Sequence, residues 1–151
     1  MNSTVSPAGI VVAVTIRDLV HNALRMRHDR LVIGEVRGAE SIDLLQAMNT
    51  GHAGSMATCH ANSPADAVER LATMALMGDI ALPIAAVRDQ LRAAVDVVVQ
   101  VGRAPSGRRS VVAVWEVPRP GEDPTGRLLA DAEGVRSAPA RPPRESAVGD
   151  R

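Results

Sequence analysis

The stretch that decides the predicted fold is LVIGEVRGAESIDLLQAMNTGHAGSMATCHAN, residues 31–62. The short apolar run 31–33 lies between a charged segment and a glycine-flanked turn, which is typical of a strand buried on both faces in a parallel sheet. Glu35 then falls at the carboxyl end of that strand, where open α/β sheets place their ligands. Taken alone, the position favours a plainer interpretation, a solvated acid at a strand end.

The residues after Glu35 favour a functional role for it over a solvated acid. Residues 39–48 carry apolar side chains three apart, which predicts a helix, and Gly51 can end it by taking a positive φ. Residues 54–60 are free of charge until their end and are predicted to form a second buried strand, which ends at His60. The two strand ends would bring Glu35 and His60 to one edge of a sheet, an arrangement typical of a functional site.

Two ordered motifs in this stretch resemble a known family. IGEVRG (33–38) and LLQAMNTGHAGSMATCHANSP (44–64) are similar to segments of the traffic ATPases of type II and type IV secretion, especially the CpaF-like motors of tight-adherence pili. GEVRG resembles their atypical Walker B segment, and GHAGSMATCHANSP resembles their histidine box. The similarity runs from about Val14 to about Arg103, so it is long and specific.

The resemblance implies roles for three residues. Glu35 would be the water-activating or metal-facing carboxylate in the hydrolysis of ATP with Mg²⁺, and Gly34 stands where Walker B motifs usually carry an aspartate. His60 would face the γ-phosphate and sense the nucleotide state. Without the resemblance, a core histidine with one hydrogen-bonded nitrogen would be the favoured interpretation of His60.

Three further residues are weaker candidates for nucleotide contacts. His52 follows Gly51 and could add a second polar contact. Arg37 could pair with phosphate or with a neighbouring subunit, and a surface salt bridge is an equal alternative. Thr58 lies two residues before His60, so it shares that strand face and could add a hydroxyl.

Adjacent residues Cys59 and His60 do not predict a metal site. Neighbouring side chains on a strand point to opposite faces, and no second cysteine or HxxxH pair supplies the missing zinc ligands. The same geometry argues against a Cys-His hydrolase. Cys59 is therefore interpreted as a small buried hydrophobic residue, and no metal ligands are predicted.

One element of the family is missing from the sequence. A P-loop needs a lysine that reaches the phosphates, and this chain has no lysine, while GHAGS lacks the GxxxxGK[ST] pattern. The resemblance therefore covers only the C-terminal half of the motor domain. We expect a truncated or split motor, or a nucleotide cradle supplied by another polypeptide, and stand-alone turnover is doubtful without that cradle.

The predicted fold class is α/β, a partial RecA-like (P-loop NTPase) domain with a mostly parallel sheet, flanking helices and a C-terminal hairpin. Residues 1–13 form an unmatched lead-in with a possible strand at 10–14, and 14–117 form the domain. Helices begin after Thr15, after Ser63 and near Pro83. Strands at 95–101 and 110–117 form the hairpin, and the proline-rich residues 118–151 are expected to be disordered.

Composition excludes several classes of function. Trp115 is the sole aromatic residue, so the stacking platforms of single-strand nucleic-acid binding are missing. The 17 basic residues, all arginine, balance 17 acidic residues. The protein therefore has no net charge that would attract nucleic acid or an acidic membrane. One cysteine, short apolar runs and no signal-peptide pattern indicate a cytoplasmic protein. Contact with the inner membrane would then be peripheral and made through partners.

The function predicted from the sequence is an ATP-hydrolysing motor subdomain of a type II/IV secretion or pilus-assembly system. Its expected partners are copies of itself in a hexamer, or related ATPase subunits, together with inner-membrane platform proteins. The alternative is an inactive interaction remnant that docks on a related hexamer or its platform. A metal hydrolase comes third.

Overall fold

The computed structural model describes residues 2–5, 11–26, 28–78 and 81–141. In these residues, two N-terminal strands are followed by four helices with two short strands among them, and then by four C-terminal strands. The elements are β1 (Asn2–Val5), β2 (Val11–Val14), α1 (Ile16–Leu24), β3 (Val32–Ile33), α2 (Glu40–Asn49), β4 (Met56–Ala57), α3 (Pro64–Ala75), α4 (Ile84–Ala94), β5 (Val97–Arg103), β6 (Arg109–Glu116), β7 (Arg127–Asp131) and β8 (Gly134–Val135).

The helix starts follow the capping signals in the sequence. Thr15 caps α1 in a reciprocal capping box with Asp18, in which each side chain bonds the other residue's backbone N–H. Ser63 accepts from the backbone N–H of Asp66 at the start of α3, with Pro64 in the first turn. The predictions of helices at these positions and after Pro83 are confirmed.

Strands β3 and β4 carry the predicted site. β3 and β4 pair in parallel, Val32 with Met56 and Ile33 with Ala57, and α2 supplies the crossover that parallel strands require. Gly51 has φ 108° just past α2, as its position predicted. Burial on both faces was the wrong expectation, because Val32 is 67% exposed and Met56 is 59% exposed. One face of this strand pair is therefore open.

The C-terminal strands form an antiparallel sheet in the order β5-β6-β7-β8. The predicted hairpin is confirmed as β5 and β6, joined by a tight turn at which Gly107 has φ 84°. A mostly parallel sheet was wrong for the described residues, since β3 and β4 are the single parallel pair. Short turns can join only antiparallel neighbours, and the links after β5, β6 and β7 hold no crossover helix.

The expected disorder of residues 118–151 is wrong as far as residue 141. β7 and β8 extend the sheet there, and the indole N–H of Trp115 donates to the Thr125 carbonyl at 3.1 Å. Arg141 donates to the Val117 carbonyl at 2.7 Å. These contacts order a segment whose polar composition predicted the opposite, because sheet pairing satisfies its backbone. Residues 142–151 lie outside the described residues.

The N-terminal lead-in also differs from its prediction. Asn2–Val5 forms β1 and pairs antiparallel with β2, so this part of the lead-in belongs to a strand. The strand expected at 10–14 is confirmed at Val11–Val14, and residue 10 lies outside the described residues.

Two apolar clusters support the rest of the fold. The larger one joins α2, α3 and α4 to the end of β6 and contains Ile42, Ala72, Leu91 and Val117, the last of which directly follows β6. The second, here called the site cluster, contains five buried residues from α1, the strand β3, the loop after it, α2 and α3: Val20, Ile33, Val36, Leu44 and Met74. Cys59 and Leu71 pack against it. Among the described helices, none combines the length and apolar character needed to cross a bilayer.

Candidate functional site

Three charged or titratable side chains meet where β3 and β4 end. Oε1 of Glu35 lies 3.1 Å from Nε2 of His60, and Oε2 accepts from Nη2 of Arg37 at 2.5 Å. Glu35 is 26% exposed, whereas Arg37 and His60 are 74% and 83% exposed. The spatial prediction that Glu35 and His60 share one edge is therefore confirmed. The core-histidine interpretation of His60 is wrong, because its ring is in solvent.

The loop after β3 is held by its backbone. The Val36 N–H donates to the Thr58 carbonyl at 2.9 Å, which continues the parallel pairing beyond the strand ends. The Val36 side chain is buried in the site cluster, so its neighbours Glu35 and Arg37 are directed away from the core. The Thr58 hydroxyl donates to the Gly34 carbonyl. In this structure Thr58 thus fixes the backbone before Glu35.

Local charges keep Glu35 ionised. The hydrogen bond from Arg37 holds the pKa of the Glu35 carboxyl below its ordinary value, with smaller contributions from the charges of Arg37, His60 and Arg70. The same bond raises the pKa of the Arg37 guanidinium. Burial raises the pKa of the Cys59 thiol, which packs on the site cluster as a small apolar residue. The site therefore presents a carboxylate rather than a carboxylic acid.

The substitution Arg37→Gln is expected to raise the pKa of Glu35, as measured by NMR titration of its carboxyl carbon. A folded-state pKa below the unfolded one contributes stability above the unfolded value and loses it as pH falls through the folded value. The difference in unfolding free energy between wild type and Arg37→Gln should therefore be present at neutral pH and shrink below about pH 4. A difference that is unchanged between pH 7 and pH 3 would contradict the ion pair.

The position of Gly34 has room for a side chain. A Cβ built there meets no atom within 4 Å, and the residue does not have positive φ. We expect Gly34→Ala and Gly34→Asp to change the unfolding free energy by less than about 0.5 kcal/mol, as for a surface substitution. Urea denaturation checks this, and a large loss from both variants would show that the backbone here requires glycine.

His52 does not join the cluster. Its ring packs against the ring of His28 with centroids 4.7 Å apart, and its Nδ1 lies 3.2 Å from the Ala47 carbonyl. Among the described residues, no hydrogen bond or ion pair links His52 to Glu35, Arg37 or His60. Its predicted nucleotide contact therefore has no support from the geometry.

Two residues near the site were missed by the sequence reasoning. Oε1 of Glu40 accepts from the backbone N–H groups of Arg37 and Gly38, at 2.7 and 3.1 Å, which fixes the loop that presents Glu35. An acid three residues after Arg37, at the start of a helix, was an available signal. Arg70 on α3 acts electrostatically on Glu35, and no motif singles it out.

The cluster has a defined chemical capacity. Glu35 offers oxygen atoms of the kind that Mg²⁺ accepts, and Mg²⁺ commonly uses one or two carboxylates with water and phosphate for the rest. Arg37 offers a planar cation suited to phosphate. No group of three or more potential metal-ligating side chains is found within the described part of the chain. The arrangement thus combines one oxygen donor of the kind that Mg²⁺ accepts with one cation of the kind that pairs with phosphate.

Comparison with known proteins places the chain in a family. Residues 6–126 match the family described as "Type II/IV secretion system protein". The match starts before residue 14 and ends after residue 103, so the motifs understated its extent and part of the predicted lead-in lies inside it. The chain belongs to this family of secretion-system proteins.

Several relatives are similar over about two thirds of the chain. A putative conjugal transfer protein of Mycobacterium tuberculosis is 50% identical over 101 residues, 67% of this chain and 28% of the relative. The type IV secretion system protein PtlH of Bordetella pertussis is 38% identical over 111 residues, 71% of this chain and 33% of PtlH. The chain thus spans about a third of the length of these relatives or less.

A solved structure supports the same assignment. The crystal structure of the VirB11 ATPase from the Brucella suis type IV secretion system, in complex with sulphate, matches with a TM-score of 0.64 and 36% identity. The match covers 68% of this chain and 32% of the Brucella chain. The fold of the matched part is therefore that of a secretion-system ATPase.

Proposed function

We propose that the chain supplies the hydrolytic edge of a secretion ATPase of the type II/IV systems, with ATP and Mg²⁺ as cofactors. Glu35 orients the attacking water or faces the metal, and His60 senses the γ-phosphate. In this proposal the chain corresponds to the C-terminal half of a RecA-like domain, since a Walker B-like segment and a histidine box are present and a lysine-bearing loop is not. The motifs favour a CpaF-like pilus or export motor.

The observation that carries the proposal is the 3.1 Å contact between Glu35 and His60 at the ends of two parallel strands. Phosphoryl transfer depends mainly on positioned charges around the phosphate and its water. A carboxylate and an exposed imidazole side by side at a strand edge provide two such groups. The family match, which includes both residues, supports the same assignment.

The charge state of Glu35 favours one role over another. A general base works best when its pKa lies near the operating pH, and Arg37 keeps the pKa of Glu35 low. Glu35 is therefore a better acceptor for orienting a water molecule, or a better metal-facing ligand, than a strong proton acceptor. A phosphate that draws Arg37 away would free one carboxylate oxygen for that role.

The Mg²⁺ and the triphosphate fit this chain to different degrees. Glu35 suits Mg²⁺ as a single protein ligand, and Arg37 could neutralise part of the phosphate charge. Mg²⁺ held there would supply positive charge that offsets the negative charge of the phosphate. The backbone amides and lysine that cradle a triphosphate are not supplied by residues 31–62. The cradle is assigned to sequence outside this stretch, upstream in the domain or in another polypeptide.

Open apolar surface supports the proposal that another part of the ATPase domain packs against this chain. Within the described residues, β4 is bonded to β3 alone and β5 to β6 alone, so each leaves one edge free. Exposed apolar side chains lie on these strands, among them Val32, Met56, Val99 and Val101. Free edges and apolar faces invite a further strand or a packed layer. An upstream part of the ATPase domain would cover them.

The test is a hybrid protein in which this chain replaces the matching segment of the mycobacterial relative. Phosphate release from ATP with Mg²⁺ is measured for the hybrid and for the intact relative. Turnover within about tenfold of the relative supports the proposal, because the edge would then work with a cradle from elsewhere. A well-folded hybrid with no turnover, beside an active relative, would refute it.

A second candidate is a non-enzymatic interaction protein. The missing lysine and the open strand edges favour it, since the chain could dock on a related hexamer or its inner-membrane platform without hydrolysing ATP. Nucleotide binding and co-assembly measured on the purified chain, alone and mixed with the intact relative, separate the two. Assembly without any change in turnover would favour docking. Both candidates place the chain in the cytoplasm, in contact with the inner membrane only through partners.

A further inference from the structure

Helix α3, which follows His60 in sequence, carries an arginine, Arg70, whose role is not yet assigned. Arg70 lies on the exposed side of α3, and among the described residues its guanidinium forms no ion pair and no hydrogen bond. Two other arginines differ from it: Arg37 is paired with Glu35, and Arg88 on α4 is paired with Glu69 of α3. An exposed guanidinium without a partner is free to bind an anion.

Packing places this cation beside the site. Leu71, the next residue, and Met74, one turn on, pack α3 onto the site cluster, which also contains Val36 and Cys59. Val36 directly follows Glu35 in sequence, and Cys59 directly precedes His60. The turn of α3 that carries Arg70 therefore shares its support with both strand ends. The positive charge of Arg70 lowers the pKa of the Glu35 carboxyl and partly offsets the effect of burial on the Cys59 thiol.

We propose that Arg70 is a phosphate-binding residue of the Glu35–His60 site, in which its guanidinium contacts the phosphate oxygens of the bound nucleotide. The inference rests on the proposed function for the identity of that ligand. Arg37 is paired with Glu35 in this structure, so Arg70 is a second source of positive charge, beside Arg37, for an incoming polyphosphate. Its planar fork can bond two phosphate oxygens at once.

The test uses the full chain and inorganic tripolyphosphate, which removes any need for a nucleoside pocket. Binding is followed by isothermal titration calorimetry and by NMR shifts of residues 34–37 and 58–60. Arg70→Gln is expected to weaken binding at least tenfold, because it removes a charge-assisted contact. Arg70→Lys should recover part of the loss, since it restores the charge without the fork.

The matched control is Arg108→Gln in the β5–β6 turn. Arg108 is also exposed and forms no ion pair within the described part of the chain, so this variant makes the same change in net charge at a distance. It should alter binding less than twofold. The pKa of Glu35 gives a second readout that needs no ligand: Arg70→Gln should raise it and Arg108→Gln should not.

The outcomes separate this inference from the proposed function. Equal loss of binding in Arg70→Gln and Arg108→Gln, or no binding of tripolyphosphate near Glu35 by the wild type, would overturn the role of Arg70. An active hybrid enzyme whose KM for ATP is unchanged by Arg70→Gln would overturn it too, while leaving the proposed function in place. Binding that depends on Arg70, together with an inactive hybrid, would support the anion site and refute the ATPase.

Discussion

Replacing Glu35 with glutamine in the hybrid ATPase is expected to reduce kcat by about 10²–10³-fold, the loss seen when one preorganised polar group is removed from a transition state. The amide has nearly the same size, so the loop and its bonds to Glu40 should remain. What is lost is the negative charge that, in the proposed function, orients water or faces Mg²⁺. The KM for ATP should change much less than kcat, because the charge acts mainly on the reacting phosphate. Steady-state phosphate release measures both.

The matched control for this charge removal is Glu133→Gln. Glu133 lies in the β7–β8 turn and pairs there with Arg136. This variant should keep kcat within about twofold of the unmodified hybrid, as expected of a surface change away from the site. If Glu35→Gln also retained full turnover, Glu35 would not be the hydrolytic carboxylate. The ion pair with Arg37 would then be its whole role.

The parts of the fold that the sequence predicts well are those set by local chemistry. Helix starts follow from side chains that bond their own backbone, as Thr15 and Ser63 do. The β5–β6 hairpin follows from two apolar runs around a short turn. The meeting of Glu35 and His60 follows from the rule that parallel strands joined by a helix end at the same edge.

The parts that were missed depend on contacts far apart in sequence. Polar composition predicted disorder after residue 117, yet β7 pairs with β6 through backbone bonds that composition does not report. His52 has the residue type and the local sequence of a ligand, but its ring packs against His28 and does not join Glu35 and His60. The charge of Arg70 acts on Glu35 because α3 packs on the site cluster. None of these follows from a local pattern.

The ordered segment after β6 can be tested through Gly126. This residue has φ 65°, and a Cβ built on it would lie 2.1 Å from Cζ2 of Trp115 and 2.8 Å from the Glu116 carbonyl oxygen. Gly126→Ala must therefore displace the indole, which packs against the larger apolar cluster and bonds to Thr125. We expect a loss of about 2–4 kcal/mol in unfolding free energy, from backbone strain plus overpacking. Urea denaturation measures it.

Gly121 in the same segment separates these two causes. It has φ 86°, but a Cβ there meets nothing within 4 Å. Gly121→Ala should therefore cost only the left-handed backbone penalty, about 1–2 kcal/mol. The additional loss of unfolding free energy in Gly126→Ala, relative to Gly121→Ala, then measures the collision with Trp115. The fluorescence of Trp115 should shift to the red in Gly126→Ala alone. Equal, small losses in both variants would mean that residues 118–126 do not pack on the sheet, and the expectation of disorder would be restored.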